Sequence, residues 1–555
     1  MPNILEDNNM SSNKRADILI RANSIHTCED GLPVQHALAI AGEYIFAVSD
    51  EPHGLDDFLD SNTKVIDLPN STVLPTFDDT HTHLIFAGLS EFDVPVHTAK
   101  DLKGMLELIR QRASETEPGE WICTTANWQE FNLPEKRFPT LQELDEISTA
   151  HPILVRRGGH NVVANSLAMQ HAQVTVDTQP PPGGKIGKDE QGRLNGLIQD
   201  SAVMLIDRVK PSMSVEKRIT GLERASASYA ATGIGCVRDC FVPFDDIAIL
   251  KATHDAGKLN IRVRALVSTI GMSEASDVDH LLSSMEEWRS LQNDPWLSIW
   301  GLKFMLDGGI EAGATEEPYV SGGCECGSHA GFRGRLLWDP DKMVEAVDMA
   351  VSRGWNVGTH AYGDRAIRVL LDVYERVLQR HPDLPVGTLV MEHGGLATPE
   401  LRERAVALGV AVTVQHPLLH DAAGIQEIYW GLDRVSRIFP YREWLDLGAI
   451  VTGGSDYPVG AYGAMHSVWG MSSRQTVVGV RGPQHAITVP EAISLHTSLA
   501  TKMLREAHLR GALTPGCYAD LTILPVDPYD SDILKLRDAR PLCTIIGGKI
   551  RYLQE

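Results

Sequence analysis

An α/β chain built around a (β/α)8 barrel is the fold this sequence predicts, and three observations predict it. The first is an apolar run, Val73-Leu74-Pro75-Thr76-Phe77, leading into Asp79-Thr80-His81-Thr82-His83. Residues i and i+2 of an extended strand share a face, so the imidazoles of His81 and His83 are expected to point the same way. The second is a series of later apolar runs with similar endings: Thr359-His360, Glu392-His393 and Gly454-Ser455-Asp456, with Lys303 inside Trp300 to Met305. The third is that helix-like segments separate these runs. Polar residues at the ends of strands that alternate with helices are the pattern of a parallel barrel whose site lies at the strand C-termini.

Taken in order, residues 1–15 are polar, lack the apolar core of a secretory signal, and read as a disordered lead-in. Ala16 to Ile20 opens a strand-rich segment. Ala37 to Val48 reads as a hairpin around Gly42-Glu43, and Lys64 to Leu68 as a short strand. Near the other end, Ala519 to Leu524 and Cys543 to Ile550 alternate or run apolar around Gly547-Gly548. Neither end has a core of its own, so residues 16–74 and 507–555 are expected to combine in one composite β-sandwich. The barrel is assigned to residues 75–90 and 211–506, and residues 91–210 to an inserted α+β domain over its mouth. Within the insertion, Leu102 to Ala113 is helical, Trp121 to Ala126 a strand, and Thr140 to Ile147 a helix capped by Thr140 and Glu143. Ile153 to Val155 reads as strand and Val162 to His171 as helix. Val215 to Thr232, Pro340 to Arg353 and Pro399 to Leu408 supply barrel helices. Gly233 to Arg238, Ile261 to Val267 and Val412 to Val414 supply further strands.

A chain of 555 residues exceeds the roughly 250–300 at which one core stops growing. A net charge of −23 argues against nucleic acid or an anionic membrane as partner, and no apolar run approaches the ~20 residues that span a bilayer. Eight irregularly spaced cysteines make no disulfide framework, so a cytoplasmic protein with reduced thiols is expected. The expected partner is a small-molecule substrate; a homodimer is left open.

Four histidines and an aspartate at strand ends can bind a divalent transition metal, with zinc expected. Lys303 decides between one and two ions per chain. An ammonium buried unpaired is costly. Lys303 therefore either pairs with Asp307, reaches the surface, or is neutral and captures carbon dioxide as a carbamate able to bridge two ions. No Gly-X-Ser-X-Gly elbow is present, which agrees with water as the nucleophile.

The chain resembles the amidohydrolase superfamily. His360-Ala361-Tyr362-Gly363-Asp364-Arg365-Ala366 is similar to the His-Ala-X-Gly-Asp-Arg-Ala signature of its long-chain branch, which contains N-substituted formamide deformylases. Gly159-His160-Asn161, Arg137-Phe138-Pro139-Thr140, Leu302-Lys303-Phe304 through Asp307-Gly308, and Gly454-Ser455-Asp456 also resemble that branch. The usual Pro-Gly before the first metal motif is Pro75-Thr76 here. The resemblance implies a metal-dependent hydrolase barrel with His81, His83, Lys303, His360, His393 and Asp456 as metal ligands. It further implies a carbamate on Lys303, with Asp456 taking the proton of the attacking water. The reaction is then hydrolysis of a carbon–nitrogen bond other than a peptide bond, in a small N-acyl or N-formyl substrate, by a metal-activated water.

His160, Trp128, Tyr362, Asp364, Arg365 and Tyr457 are the candidate substrate contacts. Asp364 with Arg365 also reads as a structural ion pair, and the aromatics as packing. Cys324, Cys326 and His329 lie in a Gly-rich segment read as a mobile lid rather than a separate zinc site. One rival reading is a cyclic amide or imide hydrolase, or a deaminase, on the same scaffold. Deaminases of the superfamily usually carry a glutamate shortly after the strand-five histidine, where Gly363-Asp364 stands here. The other rival is a catalytically silent scaffold protein, whose relatives typically lose ligands that this chain retains.

Overall fold

The computed structural model describes residues 15–29, 31–159, 161–181, 184–320 and 331–554. Its centre is an eight-stranded, all-parallel sheet whose strands neighbour one another in chain order. They are β1 (Phe77–Thr82), β2 (Ile234–Val242), β3 (Arg262–Ser268), β4 (Leu297–Met305), β5 (Asn356–Ala361), β6 (Leu389–His393), β7 (Ala411–Val414) and β8 (Val451–Gly453). The backbone ladder runs from β1 through β8, and side chains bridge the remaining seam. Thr80 Oγ1 lies 2.8 Å from Thr452 Oγ1 and donates to the Gly453 carbonyl at 2.9 Å. Just beyond the seam, the Asp456 N–H donates to the His81 carbonyl at 2.7 Å. The eighth strand therefore delivers Asp456 directly beside His81.

Helices pack outside. The longest, Asp364–Arg380, buries Ile367, Leu370, Leu371, Tyr374 and Val377. That spacing is one stripe of a 3.6-residue period, which is why the segment lies along the barrel rather than crossing it.

The apolar run expected to open the barrel is divided between two sheets. Val73 to Pro75 ends a twelve-residue strand, Lys64–Pro75, and the barrel strand starts only at Phe77. Lys64 to Leu68 is therefore the first part of a longer strand. The register against Ile18–Ile25 slips between Ala22 and Ser24, where Pro69 and Asn70 fall in an irregularity. Proline has no N–H for the ladder, so an interruption there lets pairing resume at Thr72.

That long strand is central to a seven-stranded sheet drawn from both chain ends. Its order is Lys549–Leu553, Cys543–Ile546, Leu521–Leu524, Lys64–Pro75, Ile18–Ile25, Gln35–Ala41, Tyr44–Ser49. Ile20, Leu38, Val73, Leu521, Ile523 and Ile545 share one core, so neither end is buried without the other.

Between β1 and β2 the chain forms a five-stranded sheet with its own helices. Helix Leu141–Ile147 carries the expected capping box of Thr140 and Glu143. The helix expected from Val162 is corrected: Asn161–Ala164 is a strand, and the helix is Ser166–His171. Val162 and Val163 are β-branched and pair with Arg156 and Val155, while the Asn165 side chain caps the helix through the Ala168 N–H. Several contacts hold this insertion to the barrel, among them two polar ones and the Phe92 ring beneath Lys217 and Arg224. Arg157, bound to Glu130, also donates to Glu311 at 2.8 Å, and the Asn132 amide reaches the Asp421 carbonyl at 3.3 Å. His160, and Cys324, Cys326 and His329 of the expected lid, lie outside the described residues, as do residues 1–14. No helix is long and apolar enough to cross a membrane among the described residues.

Candidate metal centre

The strand ends converge on one buried cluster. His81 is the penultimate residue of β1, and His83 follows the strand as the residue before helix Leu84–Ser90. Asp456 Oδ1 lies 2.9 Å from His83 Nε2 and 3.5 Å from His81 Nε2. One ligand atom from each of these three residues lies within 4.8 Å of the others. The His393 ring stands 4.5 Å from His81, and the His360 ring 4.5 Å from His393. All candidate histidines are thus contiguous; His81, His83 and Asp456 form one compact donor set, and His81, Cys240 and Glu392 another behind it.

Backbone conformation explains how two of these residues reach the site. His393 has φ +74° and Asp456 φ +59°, a left-handed conformation that side chains with a Cβ rarely adopt. Adjacent strand residues face opposite sides, yet Glu392 and His393 both serve this cluster because the turn at His393 breaks the alternation. Strain of this kind persists only where surrounding contacts hold it, and it gathers at functional sites.

Lys303, on β4, is 2% exposed, and its Nζ has no hydrogen-bond partner. The Asp307 pairing considered from sequence is not formed. Asp307 instead accepts the backbone N–H groups of Tyr362, Gly363 and Ala314 at 2.9–3.0 Å. Burial pushes its carboxyl up to about 7 even so. The lysine also acts on its neighbours. Burial and then the Lys303 ammonium hold His360 down at about 3. His393 lies well below the usual imidazole range through burial and the nearby His360 and His81. Both rings are therefore neutral at ordinary pH, each with one nitrogen lone pair; at His360 it is Nδ1, because Nε2 donates to the Gly308 carbonyl at 3.1 Å. Burial would raise Asp456, but its bonds to His81 and His83 outweigh this and keep it an anion.

The neutral imidazoles of His360 and His393, one carboxylate and an unpartnered buried amine fit a divalent transition metal, which would take the place of the proton that His81 shares with its carboxylate neighbours. His81, His83 and Asp456 would hold it, with His393, His360 and Lys303 alongside.

Glu392 and Arg238 are residues that sequence reading missed. Glu392 Oε2 lies 2.7 Å from His81 Nδ1, and Oε1 lies 2.6 Å from the Arg238 guanidinium, with both side chains fully buried. Despite burial, Arg238 and Lys303 hold the Glu392 carboxyl well below its usual range. Arg238 stacks on Trp300 at 4.5 Å. Gly358 is required by this pair, since a Cβ there would collide with Glu392 and Arg238. A charged residue inside an apolar strand was the available signal. Glu392 and Arg238 share that signal with Lys303.

The expected substrate contacts divide. The Tyr362 ring lies 5.5 Å from His393, and its hydroxyl accepts from Gln426 at 2.8 Å. Tyr457 is half-buried, and its carbonyl accepts the His83 N–H at 3.0 Å. Phe86 and Phe241 flank His83 at 5.9 and 6.3 Å, and neither was anticipated. Trp128 sits in the insertion's own core and donates to the Arg156 carbonyl. Asp364 accepts the Glu316 N–H and Arg365 donates to the carbonyls of Arg333 and Gly334. These last two thereby tie down the segment that follows β4. Asp239 accepts the Ile85 N–H at 2.9 Å, anchoring the helix that follows His83.

The profile described as "Amidohydrolase family" matches residues 64–552. The chain is 26% identical to an N-substituted formamide deformylase of Arthrobacter pascens, covering 97% of this chain and 98% of that protein. It is 27% identical to Protein LONG AFTER FAR-RED 3 of Arabidopsis thaliana, over 97% and 92%. Among solved structures, an uncharacterized metal-dependent hydrolase from Pyrococcus furiosus matches with a TM-score of 0.70. That pair is 23% identical, and the match covers 92% of this chain and all of the other.

Proposed function

The chain belongs to the amidohydrolase family, and from that premise we propose that it hydrolyses the amide-type C–N bond of a small N-acyl or N-formyl substrate. The observation that carries this reading is the donor set itself, His81, His83 and Asp456 within 4.8 Å, beside neutral imidazoles and an unpartnered lysine. Similarity to the Arthrobacter deformylase over nearly the whole of both chains supports the substrate class. Zinc is the metal proposed, in a cytoplasmic setting.

A divalent ion at this position lowers the pKa of water toward neutrality and polarises a carbonyl. Asp456, ionised and held by His83, takes the proton of the attacking water and passes it to the departing amine. Tyr362 and Tyr457 are proposed to contact the substrate, and Phe86 and Phe241 to keep bulk water from it. Lys303 is proposed to carry a carbamate, because an uncharged or anionic group there relieves a buried ammonium that now faces no acceptor.

The test incubates zinc-loaded protein with an N-alkylformamide, an N-acyl amino acid and a cyclic imide, following release of amine or ring opening. Turnover of a linear substrate with the imide untouched is expected. Exclusive turnover of the imide would replace this reading by its cyclic rival. Absence of both zinc and turnover would favour a scaffold.

A further inference from the structure

Behind the histidines runs a hydrogen-bonded chain whose direction chemistry determines. His393 Nδ1 lies 2.7 Å from Gln415 Oε1, and Gln415 Nε2 lies 2.9 Å from Thr413 Oγ1. Thr413 Oγ1 lies 2.8 Å from Glu392 Oε2, the same oxygen that stands 2.7 Å from His81 Nδ1. Each of these five residues is at most 2% exposed, so the chain is shielded from bulk water.

The chain has one consistent set of donors. Glu392, paired with Arg238, is a carboxylate and can only accept. Thr413 has a single O–H and must spend it on Glu392. Its oxygen then accepts from the Gln415 amide, and from the His393 backbone N–H at 3.3 Å. Gln415 therefore turns Oε1 toward His393, whose Nδ1 must carry a hydrogen. Reversing the Gln415 amide would set the Thr413 oxygen against the carboxylate with no hydrogen between them. His81 Nδ1, facing the same carboxylate, must likewise be N–H.

We propose that Glu392 is a positioning residue that sets the tautomer of two histidines, His81 directly and His393 through Thr413 and Gln415. It thereby fixes a hydrogen on both Nδ1 atoms and turns both Nε2 atoms toward the site, that of His81 facing Asp456 at 3.5 Å. The proposal rests on the metal-centre reading for its purpose, but the tautomers themselves are a property of the metal-free chain. Ligand histidines held by such partners bind metal about 10–100-fold more tightly than those whose partner is removed.

The test uses the full-length protein labelled with 15N-histidine, metal-free at neutral pH, with long-range 1H–15N spectra of the imidazoles. His81 and His393 are both expected to show protonated Nδ1, with Nε2 unprotonated at His393, assigned by His81→Gln and His393→Gln. Thr413→Val, nearly isosteric, should release the His393 tautomer and leave His81 unchanged. Glu392→Gln should disturb both and weaken zinc binding by about 10–100-fold in a competition titration. A merely structural ion pair would leave the His393 signal unmoved in Thr413→Val, and that result would overturn the proposal. So would an Nδ1 without hydrogen at either histidine in the wild-type protein. Correct tautomers with no zinc binding would instead uphold the positioning and sink the metal reading.

Discussion

The barrel buries charge at both ends, and the two ends treat it differently. At the floor, where strands begin, Asp78 pairs with Arg510 at 2.6 Å, and Arg510 with Glu506 at 2.5 Å. Glu506 also pairs with Arg264 at 2.6 Å, and Arg262 with Asp520 at 2.7 Å. Each of these carboxylates meets a guanidinium. At the mouth, Lys303 Nζ, His83 Nδ1 and Asp79 Oδ2 are buried without partners. A floor with every charge answered is built for stability. Arg510 Nη2 on the floor also lacks a partner, but its guanidinium is paired; at the mouth the whole Lys303 ammonium lacks a hydrogen-bond partner, a cost that points to a site that receives something.

The largest expected effect breaks the mouth. Asp456→Asn keeps the shape of the side chain but cannot accept a proton. Turnover should fall by about 10²–10⁴-fold with the melting temperature little changed. An unaltered rate would remove Asp456 from the chemistry.

The floor should respond in the opposite sense. Arg510→Met leaves Asp78 and Glu506 with a buried partner missing and should cost about 3–5 kcal/mol in denaturant unfolding. Activity per folded molecule should hold. A stability loss well under 1 kcal/mol would show the floor pairs to be dispensable.

Acid sharpens the contrast further. Against burial, Arg264 and Arg510 hold Glu506 down at about 2, from an ordinary 4.5. A depressed carboxyl contributes stability that is present above about 4.5 and lost as pH falls toward 2, here on the order of 3 kcal/mol. Asp78 has the opposite sign. Burial lifts it to about 6, so its contribution is full below about 4 and lost as pH rises through 6. Glu506→Gln should therefore flatten only the acid limb of a stability–pH curve measured by urea unfolding. Equal acid limbs in both proteins would contradict the pairing.

The smallest effect lies at the seam between the two ends. Thr80→Val removes the hydroxyl that bridges β8 to β1 and should cost about 1 kcal/mol. A change below experimental error would mean that the seam is closed by packing.

Much of this was legible beforehand, for identifiable reasons. Apolar runs ending in His81, His360, His393 and Asp456 announce strands with polar tips. The isolated apolar alternation at both termini announces a shared sheet. What sequence hides is where one sheet hands over to the next: Val73 to Phe77 reads as one run, yet Thr76 separates two sheets. It also hides the left-handed turn at His393, which brings Glu392 and its neighbour to the same cluster. Thr413 and Gln415 are ordinary residues in a short strand and its exit, and only their spacing from Glu392 in three dimensions gives them a role. Asp364 and Arg365, prominent in the signature, hold a loop segment.

The central claim is that the mouth is a metal centre, and anomalous diffraction at the zinc edge from crystals of zinc-loaded wild-type protein tests it most directly. A peak enclosed by His81, His83 and Asp456 is expected. If Lys303 carries a carbamate, a second peak should lie beside His360 and His393, and only that second peak should vanish in Lys303→Ala. No peak among His81, His83 and Asp456, in protein that is folded and exposed to excess zinc, would contradict the account.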